Sequence, residues 1–221
     1  MIKGALVELM PAFGASVPNV VMFQFNPETL RHSWTQPQAA PSGSNPLAVQ
    51  GMPGESFSFN LAMDVTDQLS LGQADPQRLD AQLRGIYSRL AALEMLLFPV
   101  KGDGGLTGGA AGSPTGAKRA VPAAQVPTVL FVWGPSRIVP VRVTSLTITE
   151  KLFDELLNPT HADAQVELRV LTPLELASIS GGLKDIATGA YTYSQHAREV
   201  GALFNLTNAA GAIALPLFPG F

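Results

Sequence analysis

The stretch SFSFNLAMD, residues 56–64, indicates the fold class because its side chains alternate in character without a break. Every second residue is large and apolar: Phe57, Phe59, Leu61 and Met63. The residues between them are small or polar: Ser56, Ser58, Asn60, Ala62 and Asp64. Successive side chains of a β-strand point to opposite faces of its sheet, so this period of two predicts a strand with one face in the core.

Three further stretches predict strands. HADAQVELRVL (161–171) repeats the alternation, with Ala162, Ala164, Val166, Leu168 and Val170 on one face. PTVLFVW (127–133) is apolar throughout and predicts a strand covered on both faces. IVPVRVTSLTITEKLF (138–153) is rich in β-branched residues, which suit a pleated surface. Its Pro140 cannot donate a ladder hydrogen bond, which predicts a sheet edge or a bend at that end.

One segment has the period of an amphipathic helix, DPQRLDAQLRGIYSRLAALEMLLF (75–98). Its apolar residues recur every three or four positions: Leu79, Leu83, Ile86, Leu90, Leu93 and Leu97. Asp75 followed by Pro76 suits the first turn of a helix, and Pro99 ends it. The pattern predicts a single helix, packed on the sheet through this apolar stripe.

Composition limits the functional classes. The chain has 221 residues, of which 46% are hydrophobic and only 14% charged, so it can bury a substantial core and leaves a weakly charged surface of the kind found at interfaces. The net charge of -3 argues against a nucleic-acid partner. The absence of cysteine leaves neither disulfides nor thiolate metal sites.

Two regions lie outside this pattern of core strands and helix. Residues 101–127, rich in Gly, Ala and Pro, predict a long mobile loop within a first domain of residues 1–180. Beyond a boundary near Ser180, residues 181–221 form an apolar extension that we expect to dock on a partner protein. Polar residues and a proline inside 200–218 argue against a membrane span there.

The residues give little sign of catalysis. His32, His161 and His196 lack metal-ligand spacing, and Asp64 and Asp67 stand where a strand ends, where Asp caps turns. GSPTGAKR (112–119) departs from a phosphate-binding loop, because Ala precedes its Lys and no Ser or Thr follows. We predict no enzyme activity, no cofactor and no metal. A small enzyme with a site formed by His32, His161 and Asp64 remains the alternative from another class.

Several motifs together resemble a known family. The stretch MFQFNPETLRHSW (22–34) resembles the opening F-x-F-N-P motif of tube-initiator and baseplate-hub proteins of contractile injection systems, the phage-tail-like particles. SFSFNLAMDVT (56–66) resembles that family's second strand, and residues 143–170 resemble its late hairpin with an F-D-x-x-x-x-P turn. The resemblance covers residues 20–172, and the 90–100 and 127–134 stretches lie between these motifs in the family's order.

The resemblance implies a tail-tube-like antiparallel β-barrel or sandwich with one packed helix, in a mainly β, α+β class. It implies a homo-oligomeric ring of six subunits at the baseplate, between a spike protein and the inner tube, where the ring templates tube assembly. Assembly would be cytoplasmic, and the particle would then be released or anchored. Many family members end in a peptidoglycan-binding LysM module, whose pattern residues 181–221 do not show. An ordinary tail-tube or baseplate protein of a contractile phage is the nearer alternative.

The resemblance also assigns roles to residues of the opening stretch and the late hairpin. Val21, Phe23 and Phe25 would belong to the first core strand, and Asn26 and Pro27 to a bend that redirects the chain. The residues after the bend, up to Trp34, would form an arm that reaches a neighbouring subunit. The remaining fold and interface residues implied by the family pattern lie in the late hairpin: Phe153, Asp154 and Pro159.

Overall fold

Seven strands of the chain form one antiparallel sheet, with helices packed around it. The computed structural model describes residues 2–9, 19–37, 51–99, 126–179 and 182–213. Within these ranges the elements are, in chain order, β1 (Ala5–Glu8), β2 (Val20–Met22), β3 (Leu30–Thr35), β4 (Gly54–Asp64), α1 (Thr66–Leu69), α2 (Pro76–Arg84), α3 (Tyr87–Glu94), β5 (Val129–Val132), β6 (Ile138–Phe153), β7 (Pro159–Val170), α4 (Pro173–Leu176) and α5 (Gly182–Ile213).

The strand order is β2-β1-β5-β6-β7-β4-β3, with every neighbouring pair antiparallel. The long hairpin β6–β7 lies in the middle, and β4 pairs with β7 from Ser56 opposite Arg169 to Asp64 opposite His161. The predicted mainly β, α+β class is therefore confirmed in its coarse form. The expectation of one packed helix is wrong, since five helices are present in the described ranges.

The sheet curls around an aromatic core. The ring of Phe131 on β5 lies 5.2 Å from that of Phe57 and 5.5 Å from that of Phe59, both on β4. β6 and β7 lie between β4 and β5, so β4 and β5 would be about 14 Å apart in a flat sheet with the usual spacing. The strands must bend toward one another for the rings to meet. The alternations of β4 and β7 are confirmed, since their predicted core residues are all buried.

Pro140 lies inside the sheet, and the predicted edge or bend is wrong. It is buried in β6, opposite Leu130 of β5. Its carbonyl accepts a hydrogen bond from the N–H of Leu171 at 2.9 Å. The backbone nitrogen and carbonyl of a strand residue point to the same side of the strand. The nitrogen of Pro140, which has no N–H, therefore faces the residues that directly follow β7. A proline is tolerated there because few ladder bonds remain to be made.

Strand β5 is buried less evenly than the sequence predicts. Val129 and Phe131 are buried, whereas Leu130 and Val132, on the opposite face, are only half-buried. One face of β5 is therefore covered completely and the other in part.

The predicted helix over residues 75–98 is broken in two. The carboxylate of Asp75 accepts a hydrogen bond from the N–H of Gln77, as a capping residue should, and α2 begins at Pro76. Gly85 then ends α2 with a φ of 59°, and α3 begins at Tyr87. The turn fits against the hairpin, where Ile86 N–H donates to the carbonyl of Pro159 at 2.9 Å.

The break divides the predicted apolar stripe. Ile86, Leu90 and Leu93 are buried in the core, but Leu79 and Leu83 on α2 are 56% and 58% exposed. The prediction that these two leucines lie in the core is therefore wrong. After Gly85 the chain takes a new direction, so the two helices do not share one buried face.

The segment beyond Ser180 is a long helix whose first half packs on this chain's own sheet. Ala187 is buried against Leu171 and Leu176, and the hydroxyl of Ser194 bonds with both the N–H and the carbonyl of Ile138. The predicted boundary coincides with the start of α5. Side chains within residues 183–198, however, pack on the same chain and not on a partner protein. Most of the predicted loop 101–127 lies outside the described residues, and Pro127 at its end is buried.

Candidate functional site

The end of the β6–β7 hairpin is the first part of the candidate interaction site. Phe153 pairs with Pro159 across the turn, and Asp154 organises the residues between them. The carboxylate of Asp154 accepts hydrogen bonds from the N–H groups of Leu156 and Asn158, both at 2.8 Å, and from the Asn158 side chain at 2.9 Å. The Asn158 bonds, together with that of Leu156, hold the pKa of Asp154 below its ordinary value.

Four large apolar side chains project from this end of the hairpin. Leu156 and Leu157 are 73% and 79% exposed, and Leu152 and Phe153 are more than half exposed. Leu152 and Leu157 also have positive φ values of 53° and 64°. Left-handed backbone costs a non-glycine residue roughly 1–2 kcal/mol, so the turn carries backbone strain as well as exposed apolar side chains.

The opening stretch divides its aromatic residues between core and surface. Phe23 is buried, with its ring 5.4 Å from Phe59. Phe25 is 50% exposed, and its predicted place in the core strand is wrong. β2 ends at Met22, so the alternation lapses before Phe25 and the chain turns there.

The chain bends on both sides of Asn26 and Pro27, at residues 24–25 and at Glu28. The Asn26 side chain accepts a hydrogen bond from Gly4 N–H at 2.9 Å and donates to the carbonyl of Ile2 at 2.8 Å, which holds the chain entering β1. Pro27 follows, half-buried. The bend carries the chain from β2 at one edge of the sheet to β3 at the other, which is possible because the sheet is curled.

The predicted arm is a sheet strand. Residues 30–35 pair with β4 along their whole length, from Leu30 opposite Phe59 to Thr35 opposite Gly54. Trp34 lies 49% exposed on this edge, beneath the guanidinium of Arg198, which is 4.8 Å from the centre of its ring. The arm therefore does not extend freely, and its aromatic residue holds helix α5 of the same chain.

Beside Trp34, a buried carboxylate anchors α5. Glu55 is 4% exposed, and one of its oxygens accepts hydrogen bonds from both Arg198 and His32. The His32 ring stacks on Phe57 at 4.3 Å, which fixes its orientation. Sequence reasoning missed this cluster, because Glu55 and Arg198 are separated by 143 positions and neither belongs to a motif.

The residues of the enzymatic alternative do not converge. His161 lies 3.3 Å from Asp64 across β7 and β4, but His32 pairs opposite Phe57, seven residues along β4. Seven residues of strand span about 23 Å. Asp64 caps the following turn through Thr66, which lowers the pKa of this carboxyl, and Asp67 accepts a hydrogen bond from Gln24 at 2.9 Å.

The described ranges contain neither a metal cluster nor a membrane-spanning helix. No three His, Cys, Asp or Glu side chains there are placed to hold one metal ion. His196, the third histidine, is exposed on α5 beside Glu199. Among the helices of the described ranges, none combines the length and apolar character needed to cross a bilayer.

The outer face of the sheet carries a groove, which is the second part of the candidate site. Small residues on β4, among them Ser58, Asn60 and Ala62, leave a depression of about 720 Å³ between the strand face and residues 25–31. Phe25 and Pro27 supply apolar walls, and Arg31 stands at the rim. Because its floor lacks large side chains, the groove has room for apolar side chains from another molecule.

The chain matches no protein-family model and no curated protein sequence. The fold and site define an α+β protein with one curled antiparallel sheet, an apolar hairpin end and a groove on its outer face.

Proposed function

We propose that the chain is a structural, non-enzymatic subunit of a contractile injection system. It forms a ring at the baseplate that connects the spike to the inner tube and templates the first layer of tube. The observation that carries this proposal is the order of the motifs that resemble the tube-initiator family, over residues 20–172. These motifs all belong to one sheet, in which β3, β4 and the hairpin β6–β7 are neighbours and β2 forms the opposite edge.

The curvature of the sheet supports the finer, tail-tube-like assignment. A tube subunit must present one curved sheet surface to the lumen and others to its neighbours. Here the concave face is filled by the aromatic core, while the outer face of β4 is small and neutral from Ser56 to Ala62, so it can approach another protein closely.

Exposed apolar groups on two separate parts of the surface support an oligomeric role. The hairpin end and Phe25 each place large apolar side chains in solvent, and such patches mark protein contacts. Two different surfaces on one chain favour head-to-tail contacts, which close into rings when the rotation permits. We therefore propose a homo-oligomeric ring of six copies, with the spike and the inner-tube protein as further partners. Assembly would take place in the cytoplasm.

The test is co-expression of the chain with the spike and tube proteins encoded beside it. We expect the three to co-purify and electron microscopy to show single six-membered rings at one end of short tubes. Rings of this chain that stack indefinitely without the other components would instead identify an ordinary tail-tube protein. A chain that binds neither component and remains monomeric in the mixture would refute the proposal.

A further inference from the structure

The contacts that the end of the β6–β7 hairpin makes within the described part of its own chain do not account for its exposed apolar side chains. Four exposed apolar side chains, Leu152, Phe153, Leu156 and Leu157, stand around a turn that Asp154 would organise equally well with polar neighbours. Two of these leucines also have strained backbone. Exposed apolar area and strain both lower stability, so the combination indicates a surface that is buried against another molecule.

The groove on the outer face has complementary properties. It is concave where the hairpin end is convex, with the ring of Phe25 exposed along one side. Arg31 at its rim has no charged partner among the described residues. Two carboxylates also line the groove: Asp163 is paired with Lys151, whereas Glu28 is exposed and has no ion pair among the described residues.

The hairpin end carries one charge that is complementary to a charge at the groove. Glu155 is exposed in the turn and, within the described part of the chain, makes no ion pair. Its carboxylate suits the unpaired guanidinium of Arg31, and the apolar side chains beside it suit the wall that Phe25 and Pro27 form. The ionised Asp154 and Glu155 also make a lipid bilayer a poor partner, since charged carboxylates are costly to remove from water.

The two features cannot meet within one molecule. The groove floor includes Asp163 and Gln165 of β7, and the hairpin end begins at Pro159 of the same strand. β7 is hydrogen-bonded on both sides, to β4 and to β6, so it cannot fold back on itself over these few residues. Only a second copy can bring this hairpin end to this groove.

We propose that the hairpin end of one copy seats in the outer-face groove of a second copy, with Leu156 and Leu157 against Phe25 and with Glu155 paired to Arg31. The contact joins two different patches, so it is heterologous and leaves a free hairpin end and a free groove at the two ends of every dimer. It would supply a subunit contact of the ring proposed above, and to that extent it rests on the proposed function.

The absence of cysteine from the chain permits a direct test. The variants L156C, at the hairpin end, and N60C, in the groove, would be purified separately and mixed with a short thiol-specific bifunctional cross-linker. T192C, at an exposed position on α5, replaces N60C in the control mixture. We expect L156C to form cross-linked heterodimers with N60C and not with T192C. Equal cross-linking in both mixtures, or none with N60C at high micromolar concentration, would overturn the proposal.

Charge reversal tests the same contact in a chain without cysteine. Sedimentation velocity should show that R31E and E155R each weaken self-association about tenfold, because each places like charges together in the contact. A mixture of the two variants should recover association, since the carboxylate introduced in one copy would then face the guanidinium introduced in the other. Circular dichroism checks that both variants are folded. Failure of the mixture to recover would count against the pairing of Glu155 with Arg31.

The contact and the proposed function can fail separately. Cross-linking uses the purified chain alone, whereas the function is tested by co-purification with spike and tube proteins. Cross-linking without co-purification would retain the contact and reject the injection-system role. Co-purification with intact six-membered rings but no cross-link between residues 60 and 156 would retain the role and reject this contact.

Discussion

Phe23 and Phe25 are separated by one residue and lie in different environments. Phe23 contacts Phe59 and Trp133 in the core, while Phe25 stands half exposed at the groove. We expect Phe23→Ala to lower the free energy of unfolding by about 3–5 kcal/mol, as large-to-small changes of buried aromatics do. Phe25→Ala, the matched control, should change it by less than about 1 kcal/mol. Urea unfolding of both variants measures the difference. Equal losses would contradict the placement of Phe23 in the core and Phe25 at the surface.

Glu8 is a charged residue type buried among apolar neighbours. It is 0% exposed, and neither carboxylate oxygen has a hydrogen-bond partner. Burial raises the pKa of Glu8, and the neighbouring Asn19 side chain offsets this only in part. The pKa of Glu8 is higher in the folded state than in the unfolded state. The contribution of Glu8 to stability is therefore complete below its unfolded pKa and is lost as pH rises through its folded pKa.

Glu8→Gln should therefore remove a pH dependence. We expect the wild-type free energy of unfolding, relative to that of the variant, to fall as pH rises above about 4.5. Chemical unfolding of both proteins between pH 4 and pH 8 measures this difference. A constant difference across that range would show that the Glu8 carboxyl has the same pKa in both states.

At the scale of elements, the turn between α2 and α3 depends on Gly85. A Cβ atom at this position would lie 2.2 Å from the carbonyl oxygen of Pro159, and the φ of 59° disfavours any other residue. We expect Gly85→Ala to cost more than about 2 kcal/mol, because the backbone of α2 or of the hairpin must move. Gly72→Ala is the control, since no atom lies within 4 Å of its Cβ position. Similar melting temperatures for the two variants would contradict the close approach.

One ion pair and one aromatic contact contribute to the attachment of α5, beside the contacts of Ala187 and Ser194. Arg198 donates to the buried Glu55 and covers Trp34. Breaking a buried pair costs about 3–5 kcal/mol, but Glu55 keeps His32 as a donor, so we expect about 1–3 kcal/mol for Arg198→Ala. Arg84→Ala, which removes a surface pair with Asp80, should cost less than about 1 kcal/mol. Thermal unfolding compares them, and equal small losses would show that the cluster does not hold the helix.

At the scale of the whole molecule, α5 belongs to the fold in its first half. Ala187, Ser194 and Arg198 contact the sheet side, whereas the side chains of residues 199–206 are exposed. A chain that ends at Ser180 should lose several kcal/mol of stability, because Leu171 and Leu176 would be uncovered. Urea unfolding of this truncation and of the full-length chain checks this, and a stable chain ending at Ser180 would restore the idea of an independent extension.

Local sequence patterns were enough to predict the local geometry of this protein. Strict alternation set the faces of β4 and β7, because side chains of an extended strand have only two directions. Asp75 with Pro76 marked the start of α2, since a capping carboxylate and a fixed φ act within one turn. The FNP motif predicted a change of chain direction, and bends lie directly before and after Asn26 and Pro27. These features need no information from distant residues.

The tertiary structure decided which side chains of these patterns are buried and which residues they contact. Leu79 and Leu83 continue the helical period, yet they are exposed because the turn at Gly85 fits against the distant Pro159. Phe25 keeps the alternation in sequence but lies beyond the end of β2. The pairing of Glu55 with Arg198 joins positions 143 residues apart. Burial and pairing of this kind depend on how the sheet curls, and that curvature is a property of all seven strands together.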